Sequence, residues 1–183
     1  LHCQSHSFPT RRSSDLTEFS GTIVRDDDDL SKASVEFRIA ATSIDTRHES
    51  RDNHLRSADF FDVEKFPEIS FRSTKVEKVS DNQYRVTGQF SLHGVVKELV
   101  LPVAFAGEVK DQRGTVRAGF SMATEINRKE FGMEWNRALN TGDLLLVQAV
   151  EQTRSDGDGG VLRVAAGGKG VGLRRLHEID LGH

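Results

Sequence analysis

A single cysteine, Cys3, in 183 residues leaves no partner for an internal disulfide and no set of thiolates for a structural zinc site. No apolar stretch approaches the ~20 residues that a membrane-spanning helix needs. Lys plus Arg number 25 against 28 Asp plus Glu, and that near balance gives no electrostatic reason to expect nucleic acid as a partner. Tyrosine and tryptophan occur once each. Against them stand eleven phenylalanines, rings that bring apolar surface and no polar handle to an interior.

Familiar catalytic patterns are also missing. There is no G-x-S-x-G nucleophile elbow, and paired carboxylates drawn from this composition single out no acid–base couple. His54 and His93 have no H-x-x-x-H partner, so both read as structural rather than as metal ligands. The acidic run Asp26–Asp29 lacks the alternating ligands and distal Glu of a calcium loop and reads as a solvated hairpin turn. No catalytic residue, metal or cofactor is therefore assigned.

The chain divides into three textures. Residues 1–16 show neither helical nor strand periodicity and no hydrophobic signal-peptide core. His6–Leu16, HSFPTRRSSDL, resembles one reading frame of a common sequencing adapter, which makes 1–16 a non-native segment. From residue 155 to 183 the chain holds about half of its sixteen glycines without a period, and this reads as a flexible tail. Residues 17–154 remain as one domain and keep ten of the eleven phenylalanines.

Within that domain the dominant period is two. Phe19, Gly21 and Ile23 alternate with polar or smaller neighbours; so do Val35, Phe37, Ile39 and Ala41, and Ile69, Phe71 and Ser73. Tyr84, Val86, Gly88, Phe90 and Leu92 form a longer row. Leu99–Phe105 follows, with Pro102 marking an edge or bulge. Ala118–Ile126 and Leu144–Val150 complete the set, with turn chemistry at Ser80-Asp81-Asn82 and Asp111–Gly114. His48–Ala58 is rich in helix formers and polar nearly all round, a short surface helix. The predicted fold class is all-β, antiparallel, a barrel or sandwich with one helical insertion. Small residues at Gly21, Ser73, Gly88, Ala118 and Thr124 either leave a lumen or interdigitate with the rings.

Three segments carry a more specific signal: RDNHLRSADFFDVEKFPEISFRST (Arg51–Thr74), VTGQFSLHGVVKEL (Val86–Leu99) and TEINRKEFGMEWN (Thr124–Asn136). Their wording and order resemble the YceI-like family, a lipocalin-like group of bacterial polyisoprenoid-binding proteins. The resemblance implies an eight-stranded antiparallel barrel around an apolar tunnel that holds a long isoprenoid chain, such as a polyprenyl phosphate, a polyprenyl pyrophosphate or an isoprenoid quinone. Family members usually open with a strand of the type W-x-I-D-x-x-H-S-x-x-x-F. Here that strand is replaced by the adapter-like peptide, and the final strand is short, so the sequence predicts a barrel with its first strand missing or replaced.

The tunnel-lining candidates are Phe37, Phe60, Phe61, Phe66, Phe71, Phe90, Phe105, Phe120, Phe131 and Trp135. Arg51, His54, Arg56 and Arg128 are headgroup candidates, through charge-assisted hydrogen bonds to a phosphate. The competing readings are structural. They are a filled β core, a solvated helix face with Arg–Asp pairing, and a turn in which Asn127 caps a short helix while Phe131 plugs the barrel. The expected function is a non-catalytic carrier or store of an isoprenoid lipid. An enzyme acting on a quinone-like substrate in the same cavity, and a partner-binding β domain with a filled core, are the alternatives. A homodimer is left open, as is a cytoplasmic or periplasmic location.

Overall fold

The computed structural model describes residues 14–26, 29–110, 112, 115–134, 144–155, 161–164 and 171–175. Eleven antiparallel strands follow in chain order: β1 (Ser14–Leu16), β2 (Phe19–Asp26), β3 (Asp29–Ala40), β4 (Ile44–Asp45), β5 (Glu68–Ser80), β6 (Gln83–Leu92), β7 (Val95–Lys110), β8 (Val116–Asn127), β9 (Leu144–Ser155), β10 (Val161–Val164) and β11 (Val171–Arg175). One helix, α1 (Glu49–Arg56), lies between β4 and β5, and a 3-10 turn (Arg128–Phe131) follows β8.

Neighbouring strands pair in the order β2-β3-β5-β6-β7-β8-β9-β10. β10 then closes the ring. It pairs with β9 at Arg163↔Arg154 and with β2 at Leu162↔Ile23. The result is an up-and-down barrel of eight strands, with β1, β4 and β11 prolonging the wall at the end that carries α1.

Three expectations about the flanks change. The ring is closed between β9 and β2 by β10, which comes from the glycine-rich segment 155–183. That segment is therefore partly strand rather than a flexible tail, because V-L-R-V and V-G-L-R-R carry strand-forming residues between the glycine clusters. Segment 1–16 is not wholly outside the domain, since β1 pairs with β4 and β11 and Leu16 is buried in the core. The last long strand, β9, runs to Ser155 and pairs with β8 along its length, beyond the short strand expected at Leu144–Val150.

Turn chemistry sets the register. Leu92 pairs with Val95 across a two-residue turn in which His93 (φ 51°) and Gly94 (φ 74°) both have positive φ, the twist that suits a tight hairpin. Ser80 pairs with Gln83 around Asp81-Asn82. Pro102 stands where the β7–β8 ladder stops: Val103 is the first β7 residue paired to β8, so the missing N–H of proline costs no ladder bond there.

The small inward residues make room for rings. Gly21 pairs with Phe37, and the Phe37 ring stacks on Phe71 at 5.2 Å. Phe71 in turn lies over Gly88, where an added Cβ would meet Phe71 Cζ at 2.6 Å and the Ser73 Cα at 2.8 Å. Gly88→Ala is therefore expected to destabilise the barrel by ~1–3 kcal/mol through overpacking, read as a lowered urea midpoint. Gly119→Ala, whose Cβ meets only Ala106 Cβ at 3.3 Å, should cost less. Equal midpoints for Gly88→Ala and the parent protein would show that the Phe71 ring is not held there.

Candidate functional site

Alternation places one residue in two of each strand inside the barrel, and these positions are almost all apolar. They enclose a cavity of about 150 Å³, lined by Phe19 and Ile23 from β2, Val35, Phe37 and Ile39 from β3, Ile69, Phe71 and Val76 from β5 and Tyr84, Val86 and Phe90 from β6. Leu99, Leu101 and Val103 from β7 and Phe120, Met122, Thr124 and Ile126 from β8 carry the wall round, and Ser20, Glu36 and Ser121 also border it. A cavity with a wall of this kind admits apolar guests.

Burial grades along the axis. Leu92, Phe90 and Val86 on β6 are buried, whereas Tyr84 is half-buried; on β3, Ile39 is buried and Phe37, Val35 and Ala33 are half-buried. The same gradient holds on β5 from Ile69 to Val76 and on β8 from Ile126 to Phe120. The lumen is thus closed at the end carrying α1. It opens at the opposite end, where antiparallel order gathers the β2–β3, β5–β6 and β7–β8 turns.

The wall also parts beside this mouth. The β3–β5 ladder runs from Ala40↔Glu68 to Glu36↔Arg72 and ends there. The next donor, the Val35 N–H, donates to the Ser73 hydroxyl oxygen at 2.8 Å instead of to a backbone carbonyl, and a bulge shifts β5 between Ser73 and Lys75. Past that point Leu30, Ala33 and Val35 on one side and Val76 on the other border the cavity, so the mouth continues as a slot between β3 and β5.

A plug seals the opposite end. Phe60 and Phe61 meet edge to face at 5.3 Å, Phe131 meets Phe90 at 5.7 Å, and Leu55, Met133 and Leu16 fill in around them, all buried. Polar groups fasten this plug. The Arg56 guanidinium donates to the carbonyls of Thr42 (2.9 Å) and Ile44 (2.7 Å). Arg128, buried at 3% exposure, donates to the Met133 carbonyl at 2.9 Å and lies 5.7 Å from the Phe60 ring centre. The Asn127 side chain accepts from the Lys129 N–H, and Gly132 takes the left-handed conformation that ends the turn. His93 Nδ1 sits 2.9 Å from the Phe131 carbonyl oxygen, and its ring meets Phe66 edge to face.

The ten lining candidates therefore separate. Phe37, Phe61, Phe71, Phe90 and Phe120 border the cavity. Phe60 and Phe131 belong to the plug, Phe66 packs outside it on His93, and Phe105 lies against Phe120 at 5.3 Å without reaching the cavity. Trp135 lies outside the described residues. None of Arg51, His54, Arg56 and Arg128 borders the cavity. Arg56 and Arg128 are engaged with backbone carbonyls, and His54 Nε2 is 3.7 Å from the Asp59 carboxylate. The aliphatic half of the wall, Ile23, Leu101 and Met122 among it, was absent from the ring-only candidate list although it shares their alternation phase.

Comparison with known proteins agrees with this geometry. The model of the YceI-like domain matches residues 4–151. A UPF0312 protein of Photorhabdus laumondii is 36% identical over 137 residues, 75% of this chain and 71% of its own length. One from Pectobacterium atrosepticum is 38% identical over 139 residues, 76% and 72% of the two chains. The crystal structure of a Campylobacter jejuni YceI protein superposes with a TM-score of 0.73 at 25% identity, over 83% of this chain and 90% of that one. BcnA of Burkholderia cenocepacia, 18% identical, shares the fold with a TM-score of 0.64 over 87% and 85%.

The plug contains one buried carboxylate whose state matters. Burial pushes Asp52 up. The Thr46 hydroxyl and N–H, donating to Oδ1 at 2.6 and 2.8 Å, with Arg56 and Arg51 nearby, outweigh burial and hold it below the usual carboxylate range. A carboxyl lowered in the folded state contributes stability that is complete above its unfolded value near pH 4. That contribution is lost as pH falls through the lower folded value. Asp52→Asn should therefore lower the Tm at pH 7, with the gap to the parent protein narrowing as the pH drops below about 4. A gap that stays constant with pH would place its origin elsewhere.

Proposed function

The chain belongs to the YceI-like family, and from that premise we propose that it binds one long-chain isoprenoid lipid in the barrel lumen as a non-catalytic carrier or store. The observation that carries this reading is the lumen itself: closed at one end, open at the other, and walled mainly by Phe, Leu, Ile, Val and Met. A prenyl chain offers no hydrogen bonds and asks for none. A wall of these side chains leaves nothing unpaired when the chain replaces solvent, whereas a buried unsatisfied donor or acceptor would cost ~1–3 kcal/mol. Branched methyls along the chain suit a lumen of ring faces and aliphatic side chains.

Binding by burial has a measurable signature. Each buried Å² of apolar surface contributes ~25 cal/mol, so affinity should climb with each added isoprene unit until the lumen is full. Titration with prenyl alcohols of increasing length, followed by fluorescence or calorimetry, is expected to show that climb. Met122→Trp, which narrows the lumen at a half-buried position, should weaken binding at least about tenfold while the fold persists by circular dichroism. Affinity that does not depend on chain length would contradict the proposal.

A further inference from the structure

A chain long enough to fill the lumen resides in a lipid phase before it is bound, and its exposure to water in transit would cost the same ~25 cal/mol per Å² that binding returns. The mouth must then meet that phase directly. Five large apolar residues are strongly exposed among the described residues: Val24, Val79, Val96, Val100 and Val109. Three of them fall at the mouth. Val24 is two residues before the end of β2, Val79 one before the end of β5, and Val109 one before the end of β7. Each of these strands runs toward the open end, so three hairpins around one opening each carry an exposed valine just below the tip. Val79 and Val109 are 59% and 71% exposed, more than Val96 or Val100 on the flank of the barrel.

Charge at this rim decides what kind of surface it fits. Four cations near the mouth meet carboxylates of the same rim: Lys32 with Asp29, Lys75 with Glu77, Lys78 with Asp81 and Arg25 with Glu108. Asp29 is held below the usual carboxylate range by the Ser31 hydroxyl and N–H, with Lys32 and Lys78 contributing, and so keeps its charge. It closes the acidic run Asp26–Asp29 at the first tip. Over residues 25–32, 75–85 and 108–117 Lys and Arg number eight and Asp and Glu eight, so the rim has no excess of positive charge to draw it to anionic lipid. Its apolar points suit a surface of zwitterionic headgroups, which they enter between the headgroups without any strand crossing the bilayer.

We propose that the open end of the barrel docks on a zwitterionic lipid surface through Val24, Val79 and Val109, placing the mouth and the β3–β5 slot against the bilayer from which the chain is drawn. This rests on the isoprenoid-binding reading. It adds the surface through which the ligand is exchanged, and it separates exchange from affinity: the valines border no part of the cavity, so they govern transfer and not the bound state.

The test measures transfer of a fluorescent geranylgeranyl lipid from phosphatidylcholine vesicles to the full chain, alongside equilibrium binding of farnesol in solution. Val79→Ser/Val109→Ser is expected to slow transfer about tenfold and leave the farnesol Kd unchanged, because only docking loses buried apolar area. Val96→Ser/Val100→Ser, which removes exposed valines remote from the mouth, should leave both unchanged. Added anionic phospholipid should not speed transfer, and moderate salt should not slow it. Equal transfer by the rim variant and the parent protein would overturn docking through this rim, as would an equal loss in the flank variant. Transfer accelerated by anionic lipid would overturn it in favour of an electrostatic contact. Absence of farnesol binding in the parent protein would instead remove the isoprenoid reading on which the docking depends.

Discussion

A lumen walled mainly by phenylalanine and branched aliphatic side chains, with Tyr84 and Thr124 among its few polar groups, has little with which to hydrogen-bond, and that constraint orders the rest of the molecule. Every backbone N–H and C=O in the wall must find its partner in a neighbouring strand, because little is available inside. The ladder meets this demand by returning on itself, with β10 joined to both β9 and β2. Where the ladder lapses, between β3 and β5, the Ser73 hydroxyl takes the Val35 N–H in place of a carbonyl. Beyond that bond the wall parts, at the end where the lumen is already open to solvent.

The same constraint explains where the charges are. Arginine and histidine side chains that the sequence offers near the aromatic motifs sit outside the lumen and do mechanical work there. Arg56 ties α1 to the segment before it, Arg128 ties the turn after β8 to Met133, and Asp52 ties α1 to Thr46. Together they hold Phe60, Phe61 and Phe131 across one end of the barrel. Closure at one end leaves the other as the way into the lumen, remote from these arginines.

Much of this was legible in the sequence. The period of two located all seven long strands, and the row Tyr84–Leu92 keeps its inward phase to the last residue. Gly21 and Gly88 were readable as small residues facing rings; Gly88 takes up that role beneath Phe71, and Gly21 is the cross-strand partner of Phe37. The three family motifs were readable as wording, and the fold they imply is the one observed. What the sequence could not reveal depends on contacts distant along the chain. Phe131 was readable both as a lining ring and, with Asn127 as cap, as a plug; the turn after β8 puts it in the plug while Phe120 lines the lumen. The strand value of V-L-R-V was hidden by the glycines around it, because its pairing partners lie in β2 and β9. Local period says which face a residue takes, and the identity of the facing strand settles the rest.

The central claim is that the lumen exists to hold an isoprenoid chain. Organic extraction of the protein purified without detergent, followed by mass spectrometry, tests it most directly. The account predicts a lipid whose fragments step by the mass of one isoprene unit, at close to one molecule per chain. An extract holding only straight-chain acyl lipids, or no lipid beyond background, would contradict it.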